Sequence, residues 1–190
     1  MTHVYRFLLP LMWLSWAAYW WAASRSVKTT ARRESVPSRL LHIVPLLLAV
    51  ALLGLPDFRI PVLRERFLPL ADWPVWAGAV LTLGGLLFTV WARVHLGRNW
   101  SGIITVKQGH ELITSGPYSV VRHPIYSGLL LAFMGSALAR AEWQGVLAVV
   151  LVVWALWRKL RIEERWMRKE FGSRYQEYAR RVAALVPFFL

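Results

Sequence analysis

The organisation of this chain follows from the stretch Gly116-Pro117-Tyr118-Ser119-Val120-Val121-Arg122-His123-Pro124-Ile125-Tyr126, which lies between two apolar segments. Pro124 fixes its own φ and disfavours the α region for His123. Proline also suits the first position of a helix, and the apolar residues from Ile125 onward predict that helix. Arg122 and His123 are therefore expected at a helix N-terminus, where free N–H groups and the positive end of the helix dipole favour anionic ligand groups. The alternative is a polar connector that does no more than start a helix.

The composition around this stretch is that of a membrane protein. Of the 190 residues, 57% are hydrophobic and 12 are tryptophan, and the mean hydropathy is +0.42, which is too apolar for an ordinary soluble domain. The net charge of +13 comes from basic residues that flank the apolar segments. We interpret them as topology signals and contacts with anionic membrane lipids, not as a nucleic-acid surface. The absence of cysteine excludes disulfides, thiolate metal sites and a cysteine nucleophile.

The apolar segments predict an all-α integral membrane protein with about five transmembrane helices, over residues 7–24, 40–56, 73–94, 126–139 and 143–157. The first segment also resembles a signal peptide, because Ala22-Ala23-Ser24 has the small residues of a cleavage site. Its tryptophans favour a retained helix with an interfacial aromatic belt. The last two segments predict a helical hairpin, either as two full spans or as a re-entrant pair, whose ends return to the same side.

The charge distribution predicts the orientation of these helices. Residues 25–39 contain five Lys or Arg against one Glu, so the positive-inside rule places this loop in the cytoplasm. The N-terminus is then outside and the C-terminus cytoplasmic, with a charged helix leaving the membrane over residues 158–181. The many arginines favour a bacterial inner membrane as the location. Gly78, Gly84 and Gly85 offer places where another helix can approach closely.

The polar residues are expected to converge at the cytoplasmic mouth of the bundle. The connector of residues 95–123 ends there, and Glu163-Glu164 follow the last apolar segment, which the hairpin returns to the same side. Within the connector, residues 103–106 are β-prone and predict a short strand that pairs locally. The sequence contains no Rossmann glycine pattern, no Walker A motif and no His-Glu-x-x-His motif.

Five short motifs follow one another in the second half of the chain. They are Leu96-Gly97-Arg98-Asn99-Trp100-Ser101, Gly109-His110-Glu111-Leu112-Ile113, Arg122-His123-Pro124-x-Tyr126, Glu163-Glu164 and Phe171-Gly172-x-x-Tyr175-x-x-Tyr178. In this order and spacing, over roughly residues 95–188, they resemble the isoprenylcysteine carboxyl methyltransferase family in its bacterial membrane form. The resemblance divides a single membrane domain into three N-terminal helices, residues 1–94, and a cofactor-binding region, residues 95–188.

The resemblance implies S-adenosylmethionine as the methyl donor and S-adenosylhomocysteine as the product. The residues it implies as cofactor contacts are His110, Glu111, Leu112, Ile113, Tyr118, His123, Pro124, Ile125, Tyr126 and Glu163. Their types suit that ligand, because a carboxylate can hold an ammonium group or ribose hydroxyls, and aromatic faces attract a sulfonium and stack on adenine.

Four residues are expected to act in catalysis: Arg122, Lys159, Glu163 and Glu164. Methyl transfer mainly requires that two reactants be positioned in a dry site, and Arg122 is the candidate for orienting an anionic nucleophile. The resembled family has an arginine where this chain has Lys159, which cannot form a bidentate fork with a carboxylate. Arg158 or Arg161 is a candidate to compensate. The expected acceptor is a lipophilic or lipidated molecule bearing a thiol, carboxylate, amine or phenol, which enters from the bilayer.

Two other functions and one structural alternative stay open at this point. An NADPH-dependent reductase is the first, since sterol reductases resemble this family in the C-terminal region. A non-catalytic membrane protein of the same fold is the second. For Glu163, the structural alternative is an i,i+4 ion pair with Lys159 on a helix surface.

Overall fold

The computed structural model describes residues 7–25, 30–54, 60–97, 100, 105–107 and 112–187. Its elements in chain order are α1 (Leu9–Ala23), β1 (Thr30–Arg33), α2 (Val36–Gly54), α3 (Pro61–Arg64), α4 (Trp73–Leu96), β2 (Thr105–Lys107), a 3₁₀ turn (Gly116–Ser119), α5 (Pro124–Arg140), α6 (Trp143–Phe171) and α7 (Ser173–Arg181). The fold is thus helical, as predicted, except for two short antiparallel strands. The predicted strand near residue 105 pairs with β1, not with its own neighbours.

Two of these helices are long and apolar enough to cross a membrane by themselves, namely α2 with 19 residues and α4 with 24. Helices α1 and α5 have 15 and 17 residues. At about 1.5 Å per residue they rise about 22 and 25 Å, less than the ~30 Å of a hydrocarbon core. Large apolar side chains nevertheless face outward along the bundle, among them Leu14, Leu47, Leu87, Val150 and Trp154. Such a continuous apolar exterior is typical of a lipid-facing surface.

Helices α4 and α5 pack at backbone contact through glycine. A Cβ on Gly78 would lie 2.4 Å from the carbonyl oxygen of Gly135, and one on Gly85 would lie 2.5 Å from that of Gly128. The prediction of close approach is therefore confirmed for Gly78 and Gly85. It is wrong for Gly84, which has nothing within 4 Å, because consecutive helix positions point in different directions.

Helix α1 is attached to this pair by indole hydrogen bonds. Trp13 Nε1 donates to Ser136 Oγ at 3.0 Å, and Trp16 Nε1 donates to Thr89 Oγ1 at 2.6 Å. Buried indole N–H groups need such partners. Helix α1 is thus packed against the bundle, as expected of a retained helix.

The hairpin of α5 and α6 turns at Ala141, whose φ is +55°, and packs against α2 around Leu52, Phe133, Val152 and Leu156. At the turn, Arg140 donates from Nη1 to Leu53 O at 2.9 Å and from Nε to Glu142 at 2.8 Å. Helix α6 then runs without a break from the apolar segment into the predicted charged helix. It ends at Phe171, and Gly172, with a φ of +53°, separates it from α7. The single charged helix predicted over residues 158–181 is therefore wrong, because the chain turns at this glycine.

Candidate functional site

The polar residues gather at one end of the bundle, as the hairpin connectivity predicted. Helices α1 and α4 end there together, since Arg93 donates to Ala23 O at 2.6 Å and to Gly97 O at 2.7 Å. The Arg93 guanidinium also lies over the Trp100 ring, 4.4 Å from its centroid. Helix α5 begins and α6 leaves the apolar core at this same end.

The turn before α5 is fixed by a close contact with α4. A Cβ on Gly116 would lie 2.6 Å from the His95 ring, and φ at Gly116 is +59°, so this position suits glycine alone. His95 Nε2 lies 3.0 Å from Ser115 Oγ, and its ring stacks on Tyr118 with centroids 6.4 Å apart. The turn thereby buries Tyr118 at the end of α4.

The start of α5 has the predicted backbone. His123 has φ −124° and ψ 62°, outside the α region, and Pro124 is the first residue of the helix. The backbone amides of Arg122 and His123 are however already bonded, to Ala183 O at 2.8 Å and to Ala184 O at 3.0 Å. Arg122 and His123 thus lie at a helix N-terminus, as predicted, but their own backbone amides already have partners in the C-terminal segment.

Glu163 projects from α6 toward the start of α5. Its Oε2 lies 3.7 Å from His123 Nδ1, and its Oε1 lies 3.9 Å from Lys159 Nζ. The His123 ring stacks on Tyr126 with centroids 5.4 Å apart and an interplanar angle of 8°. Lys159 Nζ lies over the Tyr126 ring, 5.3 Å from its centroid. Glu163 therefore forms the i,i+4 ion pair with Lys159, but it also contacts His123 and so belongs to a larger cluster.

Glu164 forms a second, more buried ion pair. Arg122 Nε donates to its Oε1 at 2.7 Å, and His123 Nε2 lies 3.4 Å from the same oxygen. The side chains of Arg122 and Glu164 are only 10% and 9% exposed. Burial by itself would raise the pKa of the Glu164 carboxyl, but the hydrogen bonds and charges of His123 and Arg122 outweigh it and lower that pKa to about 2. Glu164 is therefore a carboxylate at neutral pH.

A third polar cluster joins α2 to α6. Arg158 donates to Ser38 O at 2.9 Å and to Ser38 Oγ at 2.8 Å, and its Nη1 lies 3.7 Å from Glu34 Oε1. The buried His42 lies between them, 3.3 Å from Arg158 Nη1 and 3.8 Å from Glu34 Oε2. Arg158 is thus directed toward α2, whereas Lys159 is directed toward Glu163. Arg161 is exposed and lies near the Trp157 ring.

The structure brings six of the predicted site residues into one cluster: Arg122, His123, Tyr126, Lys159, Glu163 and Glu164. The other predicted residues are placed differently. Tyr118 and Pro124 are buried beside the cluster, and Ile125 packs against the apolar core. Leu112 and Ile113 are half-buried, and His110 and Glu111 lie outside the described residues.

Two parts of this end were missed by sequence reasoning. The cluster of Glu34, Ser38, His42 and Arg158 depends on the approach of two helices more than 100 positions apart in the chain. The carbonyls of residues 179–185 that contact the start of α5 belong to the backbone, so no side-chain pattern could predict these contacts.

Comparison with known proteins gives one family match and several relatives. The family model for phospholipid methyltransferases matches residues 73–174, more than half of the chain. Protein-S-isoprenylcysteine O-methyltransferase B of Arabidopsis thaliana is 32% identical over 114 residues, which cover 58% of each chain. The cobalt-zinc-cadmium resistance protein CzcN of Cupriavidus metallidurans is 36% identical over 115 residues, or 59% of this chain and 51% of that protein.

The fold also has a relative among solved structures. The eukaryotic intramembrane Ras methyltransferase ICMT matches with a TM-score of 0.59 and 22% identity, over 82% of this chain and 54% of the other. This match concerns the fold. The chain spans between about two fifths and three fifths of the length of the curated relatives it matches.

Proposed function

The chain belongs to the phospholipid methyltransferase family, and from this premise we propose that it is an integral membrane methyltransferase, which uses S-adenosylmethionine to methylate a lipophilic acceptor. One observation carries the proposal. The carboxylate of Glu163 is held among His123, Lys159 and Tyr126, at the same end of the apolar bundle as the buried Arg122–Glu164 ion pair. A polar cluster of this kind at a membrane boundary is typical of a functional site.

The proposed topology has five spans, formed by α1, α2, α4, α5 and residues 143–157 of α6. Residues 30–39, the described part of the basic loop that follows α1, lie at the same end of the bundle as the charged half of α6, as the Arg158–Ser38 and β1–β2 contacts indicate. By the positive-inside rule this end is cytoplasmic, so the N-terminus is outside and the C-terminus inside. Reporter fusions that place the C-terminus outside would contradict this. The location in a bacterial inner membrane also remains a prediction, as does the division of the domain into residues 1–94 and 95–188.

The residues of the cluster fit the proposed cofactor. Glu163 is 21% exposed on its side chain, so its carboxylate can hold an ammonium group or ribose hydroxyls while His123 and Lys159 fix its orientation. The stacked rings of His123 and Tyr126 lie next to this carboxylate, and aromatic rings attract a sulfonium. When bound, S-adenosylmethionine supplies an electrophilic methyl group. The residues of the chain then have to position the acceptor and exclude water.

The acceptor is proposed to be a lipidated or otherwise lipophilic molecule that carries a thiol, carboxylate, amine or phenol. The apolar exterior of the bundle supports access from the bilayer, because a lipophilic molecule need not cross water to reach the polar end. The names of the plant relatives, which specify isoprenylcysteine, support the same class. The cations in the described part of this cluster are Lys159, which pairs with Glu163, and Arg122, which is bonded to Glu164.

Ligand titration of the purified protein in detergent tests the proposal. Saturable binding of S-adenosylhomocysteine, with no binding of NADPH, is the expected result. Binding of NADPH alone would point to a reductase, and binding of neither to a non-catalytic member of the family. A methyl-transfer assay with a panel of farnesylated thiols, carboxylates and amines then identifies the acceptor class.

A further inference from the structure

The C-terminal segment, residues 179–185, is attached to the start of α5 along its whole length. The amides of Arg122 and His123 donate to Ala183 O and Ala184 O, and Ser127 Oγ donates to Leu185 O at 2.5 Å. Val121 pairs with Ala183 as an isolated parallel bridge. These bonds make the segment a neighbour of the Arg-His-Pro turn.

Arg122 is the side chain that holds this segment. Its Nη1 donates to the carbonyls of Ala179 and Val182, which lie at the C-terminal end of α7. Helix ends leave such carbonyls without partners in the helix, and a cation there also complements the dipole. Because Arg122 Nε is at the same time bonded to Glu164, the guanidinium joins α6, α7 and the α5 start in one place.

A groove next to α7 is lined in part by Leu112, one of the residues that the family resemblance implies as a cofactor contact. The groove has a volume of about 370 Å³ and lies between residues 112–119 and α7, with Leu112, Ser119, Arg174, Tyr178 and Val182 among its lining residues. Tyr178 donates from its hydroxyl to Tyr118 O at 2.6 Å. Burial raises the pKa of Tyr178 to about 12, so this donor keeps its proton. The distance between the two walls therefore depends on α7 staying docked.

We propose that Arg122 is a positioning residue, which together with Glu164 fastens residues 179–185 and α7 as a wall of the cofactor site. This inference rests on the proposed function, since it assigns the wall to that site. Arg122 then acts on cofactor retention through the C-terminal segment. It differs in this from the sequence-based prediction, in which Arg122 orients the acceptor and its loss leaves cofactor affinity unchanged.

Hydrogen–deuterium exchange of the unliganded protein measures the attachment directly. In Arg122→Ala, the amides of residues 122 and 123 are expected to exchange at least about tenfold faster, since local opening sets their protection. The same variant is expected to bind S-adenosylhomocysteine about 10- to 150-fold more weakly, the range for loss of a charge-assisted hydrogen bond. Arg122→Lys should recover part of both losses, because an ammonium group replaces the fork by a point charge.

A matched control separates this role from general electrostatics. Arg168 also lies near Glu164, at 3.3 Å from Oε2, but its side chain is 55% exposed, and none of its described contacts reaches residues 179–185. Arg168→Ala should leave exchange and affinity within about twofold, as is usual for an exposed ion pair. If Arg122→Ala fails to fold, Glu164→Gln carries the test, because it keeps the side-chain volume and removes the negative charge that pairs with Arg122.

The outcomes distinguish this inference from the function on which it rests. The positioning role would be overturned if the amides of residues 122 and 123 exchanged at the wild-type rate in Arg122→Ala or in Glu164→Gln. It would also be overturned if Arg122→Ala bound S-adenosylhomocysteine with wild-type affinity. A loss of turnover with unchanged cofactor affinity would show that Arg122 acts on the acceptor, as the sequence-based prediction has it. If the wild-type protein does not bind S-adenosylhomocysteine, the proposed function fails and the wall has no cofactor to retain, while the exchange data still decide whether Arg122 holds the segment.

Discussion

Glu163 Oε2 lies 3.7 Å from His123 Nδ1, although the hairpin of α5 and α6 separates the two residues in the chain. The contact joins the point where α6 leaves the apolar core to the point where α5 begins. Both side chains are largely enclosed, at 21% and 10% exposure. The carboxylate is therefore oriented by protein groups on one side and still accessible to a ligand on the other.

Replacement of Glu163 tests whether this carboxylate binds the cofactor. Glu163→Ala should weaken S-adenosylhomocysteine binding by about 10- to 150-fold, because one charge-assisted hydrogen bond is worth about 1.5–3 kcal/mol. Isothermal titration of the folded variant measures the effect. Glu170→Ala, at an exposed position of the same helix, should bind as wild type. Equal affinity in both variants would leave Glu163 as no more than a partner of Lys159.

The glycine contacts between α4 and α5 give a stability prediction with an internal control. Gly85→Ala should destabilise the protein by about 1–3 kcal/mol, because its Cβ would lie 2.5 Å from a backbone carbonyl that cannot move aside. Gly84→Ala should be neutral or stabilising by up to about 1 kcal/mol, since its surroundings are open and alanine favours the helix. Thermal denaturation in detergent compares them. Equal midpoints would mean that the two helices are not in backbone contact.

The sequence was sufficient for the features that depend on local chemistry. Pro124 predicted the first residue of α5 and the backbone of His123, and the apolar segments predicted the hairpin that returns Glu163 to His123. Periodicity did not separate Gly84 from Gly85, because the two glycines are adjacent and only the packing partner tells their faces apart.

The features that were not predictable depend on long-range backbone contacts. Arg122 was expected to have a ligand as its partner, but its partners are Glu164 and two carbonyl groups of the C-terminal segment. Every residue carries a carbonyl, so nothing in the sequence marks those two as acceptors. The pairing of β1 with β2 likewise joins residues more than 70 positions apart.

The lowered pKa of the Glu164 carboxyl predicts that the stability of the protein depends on pH. Its pKa falls from the ordinary 4.5 to about 2 on folding, which corresponds to about 3 kcal/mol at about 1.4 kcal/mol per pH unit. Because the folded pKa is the lower one, this contribution is complete above pH 4.5 and disappears as the pH falls toward 2. Glu164→Gln should therefore be less stable than wild type at pH 7, and the difference should shrink between pH 4.5 and 2. Denaturation of both proteins across this range measures it, and a difference that is constant with pH would show that the carboxylate charge does not contribute.

Lys159 provides a test of acceptor class, because the family that the sequence resembles has arginine at this position. Its Nζ lies 3.9 Å from Glu163 Oε1 and 5.3 Å from the Tyr126 ring centroid, with only 13% of the side chain exposed. An ammonium group at this place meets a carboxylate as a point charge, whereas a guanidinium forms two parallel hydrogen bonds with it. Lys159→Arg should therefore raise kcat/KM for a farnesylated carboxylate by about tenfold, equivalent to about 1.4 kcal/mol of added transition-state binding. For the matching farnesylated thiol it should change little. The ratio of the two kcat/KM values is the measurement, and Lys169→Arg, at an exposed position of the same helix, is the control. If the ratio stays constant while both values change, Lys159 serves to position Glu163 and does not select the acceptor.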